Sequence, residues 1–190
     1  MIKTVDLTKK YGDAFAIKSI DLDLQAGDLF GFIGPNGAGK TTTLRSVAGI
    51  IPPTRGRLAI GGQSVTDEPI RAKRSLGYVP DDPQLFHDLT VQQHLEFTAS
   101  AYQVADAAGK VDQLLEQFQL TGKRHAAARD LSRGMRQKLA ICCAYLHDPT
   151  ALLFDEPLTG LDPPGIRTLK RSIIERAQSG ASIIVSSHLL

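Results

Sequence analysis

The segment Gly34-Pro35-Asn36-Gly37-Ala38-Gly39-Lys40-Thr41 constrains this 190-residue chain more than any other. It has the form G-x-x-x-x-G-K-[ST]. It is preceded by the apolar run Leu29-Phe30-Gly31-Phe32-Ile33 and followed by Leu44, Val47 and Ala48 at helical spacing. A short apolar run ended by glycine predicts a buried strand, and Gly49 with Pro52-Pro53 ends the helix. In a strand–loop–helix unit the glycines let successive main-chain N–H groups curl around phosphate oxygens, and the helix N-terminus adds its positive end. Lys40 then reaches the β- and γ-phosphates as a point charge, and the Thr41 hydroxyl is placed for Mg²⁺. A glycine-rich turn with an exposed lysine is the plainer alternative; the strand before and the helix after favour the phosphate loop.

A second chemical feature lies far along the chain. Ala151-Leu152-Leu153-Phe154 ends in Asp155-Glu156, which places two carboxylates at the C-terminal end of a buried strand. Ligand sites in open α/β sheets gather at that edge. There Asp155 holds Mg²⁺, directly or through water, and Glu156 polarises the attacking water. An acidic pair after a strand is usually the start of a solvated loop. In the company of the phosphate loop it reads as catalytic.

The rest of the pattern supplies an α/β frame. Residues 57–60, the Gly61-Gly62 turn and residues 63–65 read as a hairpin paired with N-terminal strands, and 76–79 as a further strand. From 81 to 146 the chain reads as helical. A capping-box spacing, Thr90 to Gln93, opens a helix to about Tyr102. Val111, Leu114, Leu115 and Phe118 mark a second helix over 110–119. Met135, Leu139, Cys142, Cys143 and Leu146 mark a third, stopped before Pro149. Strand 151–155, helix 163–177 and strand 182–186 then resume the alternation, which implies a mostly parallel sheet flanked by helices. The predicted layout is an α/β nucleotide-binding core of residues 1–80 and 147–190 with an N-terminal antiparallel β region, interrupted by an α-helical subdomain at 81–146.

Composition narrows the function classes. Hydrophobic residues at 42% and charged residues at 22% exclude wholesale disorder. Lys+Arg 22 against Asp+Glu 20 gives a net charge of +2, which supplies no strong pull toward nucleic acid or anionic membrane. No run approaches the ~20 apolar residues of a membrane span, and the start lacks a secretory pattern. A soluble, intracellular chain is expected. Cys142 and Cys143 are neighbours, too close for a disulfide, and read as small buried hydrophobes.

Leu131-Ser132-Arg133-Gly134-Met135 resembles the signature of the ATP-binding cassette (ABC) ATPases, a P-loop NTPase family. Four other segments resemble the same family in the same order. Tyr11 is similar to its adenine-stacking aromatic, and Gly77-Tyr78-Val79-Pro80 to the approach to its Mg²⁺- and transporter-contacting loop. Thr159-Gly160-Leu161-Asp162 is similar to the loop that crosses its dimer, and His188 to its switch histidine. The resemblance implies that ATP is bound by Tyr11, Gly34, Asn36, Gly37, Ala38, Gly39, Lys40, Thr41 and Thr42. Mg²⁺ would be held at Thr41, Asp155 and Asp81, with Glu156 as general base and His188 on the γ-phosphate. Ser132, Gly134 and Asp162 would complete the ATP site of a second, facing cassette subunit. Ser132 also reads as a helix cap, and Asp162-Pro163 as an N-cap followed by proline at the first helical position.

The implied function is that of an ATP-hydrolysing subunit that powers a separate transmembrane permease, from the cytoplasmic face of the membrane, by ATP-driven dimerisation. Three departures from the family pattern stand out. Arg133 and Met135 replace the usual glycine and glutamine, Asp81 replaces a common glutamine, and the chain stops two residues after His188, so its C-terminal end reads as truncated. Arg133, Met135 and Asp81 look most like cassettes that serve exporters. The segment 81–89, with Leu85, Phe86 and Leu89, would receive the membrane subunit. The alternative is a non-transport cassette acting on ribosomes or nucleic acid. Such proteins usually carry two cassettes or long coiled-coil arms, and no nucleic-acid partner is expected here.

Overall fold

A computed structural model describes residues 1–188. In chain order the strands are β1 (Ile2–Tyr11), β2 (Ala14–Leu24), β3 (Leu29–Ile33), β4 (Arg55–Ile60), β5 (Gln63–Ser64), β6 (Leu76–Val79), β7 (Ala151–Asp155) and β8 (Ser182–Ser187). The helices are α1 (Lys40–Val47), α2 (Pro69–Arg74), α3 (Val91–Tyr102), α4 (Ala107–Gln117), α5 (Arg133–Tyr145) and α6 (Pro163–Gln178). The chain divides into two compact units. One contains Met1–Tyr78, Pro149–Pro157 and the chain from Ile174; the other contains Val79–Asp148 and Leu158–Ile173.

The first unit holds two sheets. One is antiparallel with order β2-β1-β4-β5, so the predicted hairpin does join the N-terminal strands. The pairing of β1 with β2 shifts register between Thr4 and Leu7. There the buried Thr4 hydroxyl donates to the Ile20 carbonyl at 3.0 Å and accepts the Leu22 N–H at 3.0 Å, which satisfies groups that the broken ladder leaves open. The other sheet has order β3-β8-β7-β6, with β3, β8 and β7 parallel. Ile2, Leu7, Leu44, Ile60 and Leu153 are fully buried in the core of this unit.

One expectation is corrected. The apolar run of β3 predicts burial, yet Leu29, Phe30 and Ile33 are exposed at 51%, 38% and 61%. β3 stands at the end of the sheet order, so among the described residues it has a ladder neighbour on one side only. Burial belongs instead to β7, all five of whose residues are buried. Short α2 was also not foreseen; it begins at Pro69 and lacks a capping side chain.

In the second unit α3, α4 and α5 enclose Leu95, Leu115, Phe118, Leu139, Ile141 and Tyr145, all nearly inaccessible. The capping box of α3 is complete: Thr90 Oγ1 accepts the Gln93 N–H, and Gln93 Oε1 accepts the Thr90 N–H. α4 starts three residues before its predicted onset. Burial pushes the Cys143 thiol up to about 11, in keeping with an inert packing role.

Candidate active site

Parallel β3, β7 and β8 all end at one edge of their sheet, and each delivers part of the site there. β3 leads into the loop 34–39, which is tied to β8 by the Gly34 N–H donating to the Ser187 carbonyl at 3.3 Å. Gly39 caps α1 at φ 88° with no side-chain cap, which leaves first-turn amides open to an anion. A Cβ on Gly39 would lie 2.3 Å from the Ala16 carbonyl oxygen, so only glycine fits between loop and β2. Pro35, Asn36, Gly37 and Ala38 are exposed, and Thr42 is half-buried at the third position of α1.

Lys40 folds back over this loop. Its Nζ donates to the Gly34 carbonyl at 2.6 Å and the Pro35 carbonyl at 3.1 Å, and it stands 3.6 Å from Glu156 Oε1. The Thr41 hydroxyl donates to Asp155 Oδ1 at 3.1 Å. Asp155 is 1% exposed at the end of β7, and the same oxygen accepts a bond from the Ser186 hydroxyl at 2.7 Å. Glu156 follows at φ 46°, a left-handed conformation that is rare outside glycine, asparagine and aspartate. Its Oε2 meets His188 Nδ1 at 2.7 Å and accepts the His188 N–H at 3.2 Å. Its Oε1 is buried and takes no hydrogen bond. Charged and hydroxyl groups thus converge on the loop 34–39 and the open first turn of α1.

The donor set fits Mg²⁺. This ion takes hard oxygen ligands, commonly one or two carboxylates together with substrate phosphates and water. Thr41 Oγ1 and Asp155 offer such oxygens within one hydrogen bond of each other, beside the loop.

Tyr11 closes β1 opposite Ala14 and is 54% exposed, with Lys9 Nζ 5.1 Å from its ring centre.

The remaining expected site residues lie in the second unit. Ser132 caps α5 by accepting the Met135 N–H at 3.3 Å. Gly134 packs so tightly that a Cβ there would lie 2.4 Å from the Gly160 carbonyl oxygen. The Asp162 carboxylate accepts the Gly165 N–H and pairs with Lys138 Nζ at 3.2 Å; the Lys138 hydrogen bond is the main cause of its lowered pKa. Asp81 does not stand alone. Arg133 reaches it at 3.4 Å, so two departures from the family pattern face each other. A hollow of about 320 Å³ is lined in part by Gln84, Leu85, Arg129 and Arg136, while Phe86 is exposed and stacks edge-on against Phe97.

Ser186 is the residue that sequence reasoning missed. It carries no motif, and only the register of Asp155 with Ser186 brings it to the acidic pair.

A phosphate loop, its lysine and a carboxylate pair at one sheet edge define a phosphate-loop nucleoside triphosphatase. Residues 17–159 match the ABC transporter family, and the chain belongs to it. The whole chain is 33% identical to the ABC-type transporter ATP-binding protein EcsA of Bacillus subtilis (strain 168), of which it spans 78%. It is 36% identical to the bacitracin transport ATP-binding protein BcrA of Bacillus licheniformis, again over its whole length, and spans 62% of that protein. A solved ATP-binding subunit of an ABC transporter superposes with a TM-score of 0.94 at 33% identity, covering all of this chain and 80% of that one. A dimeric ATP-binding cassette in a post-hydrolysis state, bound to ADP and Pi, gives 0.89 at 25% identity, covering 100% and 88%.

Proposed function

We propose that this chain binds and hydrolyses ATP to drive export through a separate transmembrane permease, working as a pair of cassettes at the cytoplasmic face of the membrane. The convergence of Lys40, Thr41, Asp155, Glu156 and His188 on the loop 34–39 carries this reading. A Nod factor export ATP-binding protein among its relatives supports the exporter direction. Among the described residues no helix is long and apolar enough to cross a membrane. Docking of that permease is assigned to the segment 81–89, where Phe86 is 57% exposed.

Adenine stacks on Tyr11, and the loop 34–39 with the first-turn amides of α1 and Lys40 Nζ grips the phosphates. Thr41 and Asp155, with Asp81 through water, would hold Mg²⁺, which would supply positive charge against that of the phosphates. Glu156 takes a proton from water as the water oxygen attacks the γ-phosphorus and the bond to the β-bridging oxygen breaks, giving ADP and phosphate. His188, held by Glu156, contacts the γ-phosphate. Ser132 and Gly134 at the start of α5, with Asp162, serve the nucleotide of the facing subunit.

Calorimetric titration with MgATP tests the binding half. Lys40→Ala is expected to weaken affinity at least about tenfold, since a charge-assisted contact to phosphate is lost. Unchanged affinity in the folded variant overturns the assignment of the loop. Co-purification with a membrane permease tests the transport half; recovery with ribosomes instead would favour the non-transport alternative.

A further inference from the structure

We propose that Ser186 is a positioning residue for hydrolysis, which sets Glu156 in place through its backbone while anchored on Asp155. The inference rests on Glu156 being the general base. Ser186 is fully buried in β8, in register with Asp155 of β7. Its Oγ donates to Asp155 Oδ1 at 2.7 Å and accepts the Glu156 N–H at 3.0 Å. A single hydroxyl thus spends its proton on one carboxylate and a lone pair on the amide of the next residue.

That amide is an unusual one. It belongs to a glutamate at φ 46°, where an L side chain meets steric resistance and persists only if its surroundings hold it. The conformation determines where the carboxylate goes: Oε2 to His188 at 2.7 Å and Oε1 to within 3.6 Å of Lys40. Without an acceptor for the Glu156 N–H, a part-buried donor is left unpaired and one constraint on that residue is lost. The phosphate grip, by contrast, comes from the loop 34–39 and α1, which Ser186 reaches only indirectly, through the Asp155 Oδ1 that also accepts the Thr41 hydroxyl. Ser186 therefore bears on the chemical step and little on nucleotide affinity.

The test compares Ser186→Ala and Ser186→Thr in the whole chain, reading single-turnover hydrolysis, KM, the thermal midpoint, and affinity for a fluorescent ATP analogue with and without Mg²⁺. Ser186→Ala is expected to slow turnover about 10- to 100-fold while KM and analogue affinity stay within about threefold. Ser186→Thr keeps the hydroxyl and is expected to restore turnover to within about threefold of the unaltered chain. Added to Glu156→Gln, Ser186→Ala should cost no more than about twofold further, since the two act as a unit. Turnover within about twofold of normal in folded Ser186→Ala, equal losses in the alanine and threonine variants, or parallel loss of affinity and turnover overturns the proposal. Should the alanine variant fail to fold, Ser186→Cys decides the matter, because its thiol is a poor donor and acceptor. A slow, folded cysteine variant supports the role, and a normal rate overturns it. If Glu156→Gln itself turns over normally, the base assignment has failed; if only the Ser186 variants do, the positioning role alone has failed.

Discussion

Gly39 shows how a single hydrogen in place of a side chain can decide a site. It sits at φ 88° with the Ala16 carbonyl oxygen 2.3 Å from where a Cβ would be, so two independent penalties meet at one atom. Gly39→Ala is expected to lower stability by about 1–3 kcal/mol and to weaken MgATP binding at least about tenfold, because the loop must move away from β2. Denaturant unfolding and calorimetry check this; normal affinity at normal stability would mean that the loop tolerates the displacement. The gathering of Lys40, Thr41, Asp155 and Glu156 beside Gly39 is readable in the sequence, since each residue type answers a demand of phosphate or metal at a recognisable spacing. Ser186 was not. A serine near a strand end has many uses, and only the parallel register opposite Asp155 gives it this one.

Helix α5 and the start of α6 illustrate what capping patterns reveal and what they conceal. Ser132 at the N-cap of α5 and Asp162 before Pro163 were both legible from residue type and position. The tie between the two helices was not, because Lys138 lies mid-helix and pairs with Asp162 through tertiary packing. Lys138 depresses the Asp162 pKa, first by a hydrogen bond and also by its charge. A carboxyl lowered on folding contributes stability that is present above its unfolded value and lost as pH falls through its folded one. Asp162→Asn keeps a capping side chain but removes the charge. Its thermal midpoint should therefore lie below that of the unaltered chain at pH 7, and the gap should close as pH falls through the lowered pKa of Asp162. A gap that persists at low pH would assign the effect to the cap rather than the ion pair. Strand β3 marks the opposite limit of sequence reading. An apolar run reports an appetite for burial, while exposure depends on which strand ends the sheet, and that is a property of topology.

Taken as one object, the chain gathers its nucleotide chemistry where three parallel strands end, and places its signature residues in a separate unit with its own core. The alternation of strands and helices made this α/β plan legible, as did the helical stretch between 81 and 146. The pairing of Asp81 with Arg133 was not, since the two residues are remote in sequence and each departs from the family pattern on its own. In the proposed reading, transport depends on hydrolysis at the sheet edge, and hydrolysis on Glu156 as the general base. The most direct measurement is single-turnover hydrolysis of bound ATP by Glu156→Gln, with MgATP affinity determined on the same sample. The expected result is retained affinity with the chemical step slowed by about 10²–10⁴, the range for loss of a general base. A near-normal hydrolysis rate in the folded, ATP-loaded variant would contradict the account.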